Sequence, residues 1–258
     1  MPIETISPRR LYQQVADQLL ALIDSGEFPV GSRLPTEREL AAKLGLSRPT
    51  VREALIALEV HGRVRIRVGS GIYVLPRPEA PSLPEQTHAS GPFEILEARA
   101  VIEGALAEQA ALRATAADVA ALDAILATAE VALGTGEEML AIDRQFHMTV
   151  AAILQNDAIV HVVRDLFDQR MNPYFEQLAS YFENAATWRT AWVEHRAVRD
   201  AIASRDAAGA RAAMCRHLEQ SKLRFSNTFK PVADKERARR ASPQPALPTR
   251  RQTAGLSA

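Results

Sequence analysis

Asp143 and His147 stand four residues apart in Asp143-Arg144-Gln145-Phe146-His147, so on a helix both side chains project from one face. Alone, such a pair is most often a surface hydrogen bond. Two further histidines change that assessment: His195, in Trp192-Val193-Glu194-His195-Arg196, and His217, in Met214-Cys215-Arg216-His217-Leu218. Where the helices carrying them line a common interior, one carboxylate and three imidazoles converge. That donor set suits a borderline divalent ion, Zn2+ first, with Ni2+, Mn2+ and Fe2+ also compatible. Spacing does not establish convergence, because residues this distant meet only through the fold. His161, in an apolar run, reads as a core histidine, and His61 and His88 lack ligand-like spacing.

Bringing these groups together requires a helical bundle. From Phe93 onward the chain is Ala-rich and helically periodic, with no alternating strand pattern. The periodicity predicts helices over 93–113, 116–133, 137–154, 158–182, 187–204 and 206–229, with Thr115 beside Asp118, and Asp206, as caps. Ahead of it, the Pro-rich residues 76–92 read as a semi-extended linker. Residues 231–258 are rich in Pro, Ala and Arg and cannot build a core, which predicts a disordered basic tail. Its Arg237, Arg239 and Arg240 offer at most weak phosphate attraction. The expected organisation is a first domain over 1–75, the linker over 76–92, an all-helical domain over 93–230 and the tail.

The first domain spells a second chemistry. Thr36 caps a short helix with Leu40, Ala41 and Leu44 on one face, and Gly45 suits its left-handed exit. Ser47 caps the next helix and Pro49 fits its first turn. There Val51, Ala54, Leu55 and Leu58 form the buried stripe, leaving Arg48, Thr50 and Arg52 to point outward. Val64–Val68 then alternates, Gly69-Ser70-Gly71 can turn, and Ile72-Tyr73-Val74 returns as a second strand. Helix, turn, helix and an arginine-bearing hairpin form a winged helix-turn-helix, with the second helix presented to the major groove and the wing to the backbone or minor groove.

These residues resemble the GntR family of bacterial transcription regulators. The matched motifs are Leu34-Pro35-Thr36-Glu37-Arg38-Glu39-Leu40, Ser47-Arg48-Pro49-Thr50-Val51-Arg52-Glu53-Ala54-Leu55 and the wing from Ile66 to Val74. The resemblance implies double-stranded operator DNA as partner, contacted by Arg38, Ser47, Arg48, Thr50, Arg52 and the wing-tip Gly69. Glu37, Glu39 and Glu53 are expected to serve the helix surface.

Residues 93–228 resemble the helical FCD effector domain of the FadR subfamily. Its metal-binding members carry an Asp-x-x-x-His helix and two later histidines, so the resemblance assigns Asp143, His147, His195 and His217 as ligands. It also implies a small carboxylate effector at that site, with Arg99 facing the pocket. A structural alternative pairs Arg99 with Glu103 on the same helix. The stretch Gln169-Arg170-Met171-Asn172-Pro173-Tyr174 with Trp188 is similar to hexuronate- and sugar-acid-responsive repressors, which adds Arg170, Asn172 and Trp188 as effector contacts; Trp188 and Tyr174 serve equally well as core aromatics.

Charge is partitioned although the chain is neutral overall. Residues 1–75 hold 10 Lys and Arg against 8 Asp and Glu, residues 76–230 hold 15 against 21, and residues 231–258 hold 6 against 2. The DNA reader is only mildly basic, so its motif carries the inference rather than its charge. The single cysteine, Cys215, excludes an intrachain disulfide and, with no signal-like or membrane-length apolar segment, points to the cytoplasm. A metal-dependent hydrolase is the rival class, because an open metal site can activate water. No His-Glu-x-x-His motif, Ser-His-Asp set or Gly-rich phosphate loop accompanies the ligands. The expected protein is mainly α and homodimeric: a repressor of sugar-acid catabolism genes released from a palindromic operator by a carboxylate effector. An aldonate, aldarate or lactate-like acid is the alternative effector.

Overall fold

A computed structural model describes residues 10–78, 90–132 and 136–227. The N-terminal part begins with α1 (Leu11–Asp24), which buries Tyr12, Val15, Leu19 and Ile23 at helical spacing. Helix α2 (Glu37–Leu44) opens on a reciprocal cap: the Thr36 hydroxyl accepts from Glu39 N–H, and Glu39 accepts from Thr36 N–H. Gly45 ends it at φ 66°, a left-handed turn that a side chain would strain. Ser47 caps α3 (Arg48–Val60) with Pro49 in its first turn.

The wing is β1 (Val64–Arg67) paired antiparallel with β2 (Gly71–Val74), Val64 opposite Val74 and Arg67 opposite Gly71. Val68 leaves the first strand and Gly71 joins the second, one residue away from the expected limits. Residues 31–34 run along the other edge of β2, where Leu34 N–H donates to Ile72 O and Val74 N–H to Ser32 O.

The remaining helices are α4 (Pro92–Arg113), α5 (Ala116–Val131), α6 (Gly136–Ala152), α7 (Asp157–Asp168), α8 (Pro173–Phe182), α9 (Ala185–Ala203) and α10 (Ala207–Asn227). Helix α10 lies along α4 and α9, while α6 closes the bundle against α4 and α5. Gly104 lets α10 approach α4: a Cβ there would collide with Cys215 Sγ. Among the described residues no helix is long and apolar enough to cross a membrane.

Two expectations for the helical domain fail: His161, read as a core histidine, is exposed on α7, and one helix is broken. The single helix predicted over 158–182 is two helices joined by a 3-10 turn at Gln169–Met171. Pro173 has no N–H to continue the ladder and forces Asn172 into an extended conformation. The Asn172 side chain then caps α8 by accepting from Phe175 N–H at 2.8 Å. The break matters because it turns Arg170 inward. The expected basic tail and most of the expected linker lie outside the described residues.

Candidate functional site

The four proposed ligands occupy core positions of three helices. On α6, Asp143 and His147 fall in the buried stripe with Met139, Ile142, Phe146 and Val150. On α9, His195 follows Trp188, Ala191 and Trp192 on the inner face. On α10, His217 lies between buried Met214 and Leu218. Their exposures are 2, 1, 0 and 3% for Asp143, His147, His195 and His217. One donor atom from each lies within 4.8 Å of every other. His195 Nε2 is 3.2 Å from His147 Nε2 and 3.3 Å from Asp143 Oδ1.

Protonation fits a cation there. Burial pushes the His195 and His217 imidazoles well below their ordinary values, so they stay neutral. Burial would raise the Asp143 carboxyl, but His147 and Arg170 outweigh it and hold it well below the carboxylate range. His147 is the exception: burial opposes its charge, yet Glu103 and Asp143 raise it. A proton on His147 and a divalent ion are alternative ways to place positive charge in this acidic surround. Anionic Asp143 and neutral imidazoles are the forms that ligate metal.

A second layer orients the first. His147 Nδ1 contacts the Glu103 carboxylate, whose Oε1 accepts from Arg99 Nε at 2.6 Å. Burial would raise the Glu103 carboxyl, but Arg99 and His147 lower it to about 2. His217 Nδ1 and Glu194 Oε2 lie 2.8 Å apart, and Arg224 donates to both Glu194 oxygens. Arg170 donates one arm to Asp143 Oδ2 at 2.6 Å and the other to Glu183 at 2.7 Å. Carboxylates behind histidines fix the ring orientation and make the facing nitrogen a better donor.

Beside the cluster is a solvent-open cleft, reached by Asp143 and His217 and walled by Leu96, Arg170, Phe182, Glu183, Thr187, Trp188, Ala191, Ser221, Arg224 and Phe225. Of the expected effector contacts, Arg170 and Trp188 face it, the latter stacked on Trp192 at 5.7 Å between ring centres. Two do not. Arg99 is turned to Glu103 and lies 4.6 Å over the Phe167 ring, behind His147. Asn172 is occupied as the α8 cap.

Glu103, Glu183, Glu194 and Arg224 were not anticipated as members of the site. Glu194 faces away from its chain neighbour His195 and reaches instead to His217 on the adjacent helix. The i,i+4 spacing of Arg99 and Glu103 was the one available signal for Glu103.

In the DNA reader, Arg38, Ser47, Arg48 and Gly69 are exposed and Thr50 is partly buried. Arg48 also donates to Glu37 at 2.7 Å. Arg52 does not point outward: it is 0% exposed, ion-paired to Glu37 at 2.7 Å, with Nη1 donating to the Phe225 carbonyl at the end of α10. Glu37 is therefore no surface residue. Glu53 also faces inward, accepting from Phe93 N–H at the start of α4, and burial pushes its carboxyl up to about 7.

Residues 11–74 match bacterial regulatory proteins of the gntR family, and residues 94–220 match the FCD domain. The chain is 37% identical over 220 residues to the Uxu operon regulator of Haemophilus influenzae, spanning 84% of this chain and 82% of that protein. It is 38% identical over 234 residues to the Exu regulon transcriptional regulator of Escherichia coli K12, spanning 87% and 88%. The Streptococcus agalactiae GntR structure aligns over 82% of this chain and 99% of that one, at 28% identity and a TM-score of 0.43. The first two relatives are regulators by name. With a winged reader at one end and a helical FCD domain at the other, the chain belongs to the GntR family of bacterial regulatory proteins and is a DNA-binding transcription regulator.

Proposed function

We propose that the protein is a homodimeric repressor of sugar-acid catabolism genes, released from a palindromic operator when a hexuronate-type acid enters the cleft beside a divalent ion, Zn2+ in first place. The observation that carries this is the continuity of two features: the buried Asp143, His147, His195 and His217 set meets, through Asp143 and His217, a cleft walled by Arg170, Arg224, Trp188, Thr187 and Ser221. The four ligands would hold the ion, which supplies a Lewis-acidic site for a carboxylate. Arg170 and Arg224 add the positive charge an acid requires. Trp188 offers an apolar face to a sugar ring, while Thr187, Ser221 and Glu183 suit its hydroxyls. A cleft so rich in hydroxyl partners favours a polyhydroxylated acid over a lactate-like one. Arg99 acts from behind, by holding Glu103 against His147.

In a dimer, two recognition helices match half-sites about 34–36 Å apart, so a change in domain disposition changes operator affinity. A coupling of about 1–3 kcal/mol would shift that affinity roughly 5- to 150-fold.

A thermal-shift series on metal-loaded protein tests the effector. A ligand at 100 times its Kd adds about 2.7 kcal/mol, or roughly 5–10 °C for a protein of this size. D-glucuronate or D-galacturonate is expected to give that shift, with lactate giving little. Selective stabilisation by lactate or an aldonate instead would reassign the effector.

A further inference from the structure

The residue that the recognition motif assigns to base contact is sealed inside the protein. A guanidinium reading guanine must present its fork to O6 and N7 in the major groove. The Arg52 fork instead faces Glu37 and the carbonyl of Phe225, with its carbon 5.9 Å from the centre of the Phe182 ring. Both aromatic residues belong to the effector domain.

Four more contacts hold the same reader in place. Tyr181 Oη donates to Glu59 Oε2 at 2.6 Å, and Gln177 Nε2 donates to that oxygen at 3.2 Å. Tyr174 Oη is 3.2 Å from His61 Nε2, and Glu53 accepts from Phe93 N–H at 3.0 Å. The Glu59 carboxylate also accepts from Ile66 N–H, so α8 grips recognition helix and wing together.

The seat of this contact is also the wall of the cleft. Phe182 and Phe225 line the cleft, pack against each other at 5.9 Å between ring centres, and meet Arg52 on their other side. One layer of aromatic rings separates a cleft ligand from the recognition helix.

We propose that α8 and the end of α10 form an autoinhibitory latch: they hold the recognition helix in a state in which Arg52 cannot read DNA, and a ligand that supports Phe182 and Phe225 favours that state. Opening strands no buried charge, because Glu37 and Arg52 lie in the same domain and leave together. The contacts that break run between the domains, among them Arg52 to Phe225 O, the two bonds to Glu59, Tyr181 to Ile66 O, His61 to Tyr174, Glu53 to Phe93 and the Arg10–Glu94 ion pair. A ligand shifts such a balance only through a difference in affinity for the two states, and a wall that exists in the latched state supplies one. The latch rests on the DNA-binding function of the family and not on the identity of the effector.

The test uses the full chain, metal-loaded and free of effector, with a duplex selected in vitro for tight binding. The Tyr181→Phe, Gln177→Ala double variant removes both α8 donors to Glu59, changes no residue of the cleft wall and keeps the ring at 181 that packs 6.0 Å from Phe182. Loss of two hydrogen bonds to a carboxylate should open the latch and tighten duplex binding roughly 3- to 30-fold. In parallel, adding duplex to wild-type protein should increase hydrogen exchange in α8 and the last turn of α10. Unchanged or weaker binding by a variant of wild-type helical content overturns the latch. So does exchange in α8 that the duplex leaves unchanged or slows. Neither measurement contains a sugar acid, so failure here leaves the hexuronate proposal standing, and failure of that proposal leaves this result intact.

Discussion

His195→Ala is expected to abolish stable metal binding and to remove the whole of the stability that the ion confers. An ion at 1,000 times its Kd adds about 4.1 kcal/mol to a folded state that alone assembles its ligands. Wild-type protein should therefore melt well below its metal-loaded midpoint after chelation, and His195→Ala should melt at or below the chelated value, with no rise when metal is added. The effect is large because His195 is fully buried and its Nε2 faces both His147 Nε2 and Asp143 Oδ1. Without an ion, removing the imidazole leaves a cavity against Phe146, Trp192 and His217 and lowers stability on its own account; with one, it also removes a ligand. Elemental analysis alongside calorimetry separates the two. Wild-type protein that holds no transition metal and takes none up would remove the metal centre.

Arg99→Ala should destabilise the effector domain by about 3–5 kcal/mol, because deleting one partner of a buried pair strands the other. Glu103 is 2% exposed and held ionised by Arg99 and His147, so it cannot recover its charge partner from water. An exposed i,i+4 pair contributes just ~0.3–0.5 kcal/mol, and a loss of that size in urea denaturation would show that the pair is not buried in solution. Replacing both residues, Arg99→Met with Glu103→Leu, should restore much of the stability. The same double variant should weaken metal binding, since His147 then loses the carboxylate behind its ring.

His195 and His217 joined the metal set through the family resemblance and not through spacing. The Asp143 and His147 pair was legible from helical spacing because the two sit one turn apart, a relation that the helix itself enforces. The caps at Thr36, Ser47 and Thr115 were legible for the same reason: each depends on a partner three residues away. The break at Pro173 was written in the chain but overridden by the apolar periodicity on either side of it. The outer carboxylates were not legible in this way. Glu194 reaches His217 and Glu183 reaches Arg170 across helix boundaries, and no periodicity specifies how two helices are rotated against each other. Arg52 shows a further limit. Its position on α3 follows from spacing, but its burial follows from docking of α3 on α8 and α10, which a motif confined to one domain does not encode.

The most direct measurement of the central claim is an operator-release titration, in which D-galacturonate and D-glucuronate are added to a complex of metal-loaded protein and labelled operator, and then to the same complex after chelation. With metal present, one hexuronate should weaken operator binding roughly 5- to 150-fold, the range of ordinary allosteric coupling. After chelation, release should need far more effector or disappear. Release that is identical with and without metal would contradict a metal-assisted effector site, and a metal-loaded complex that no sugar acid dissociates or strengthens would contradict hexuronate sensing altogether.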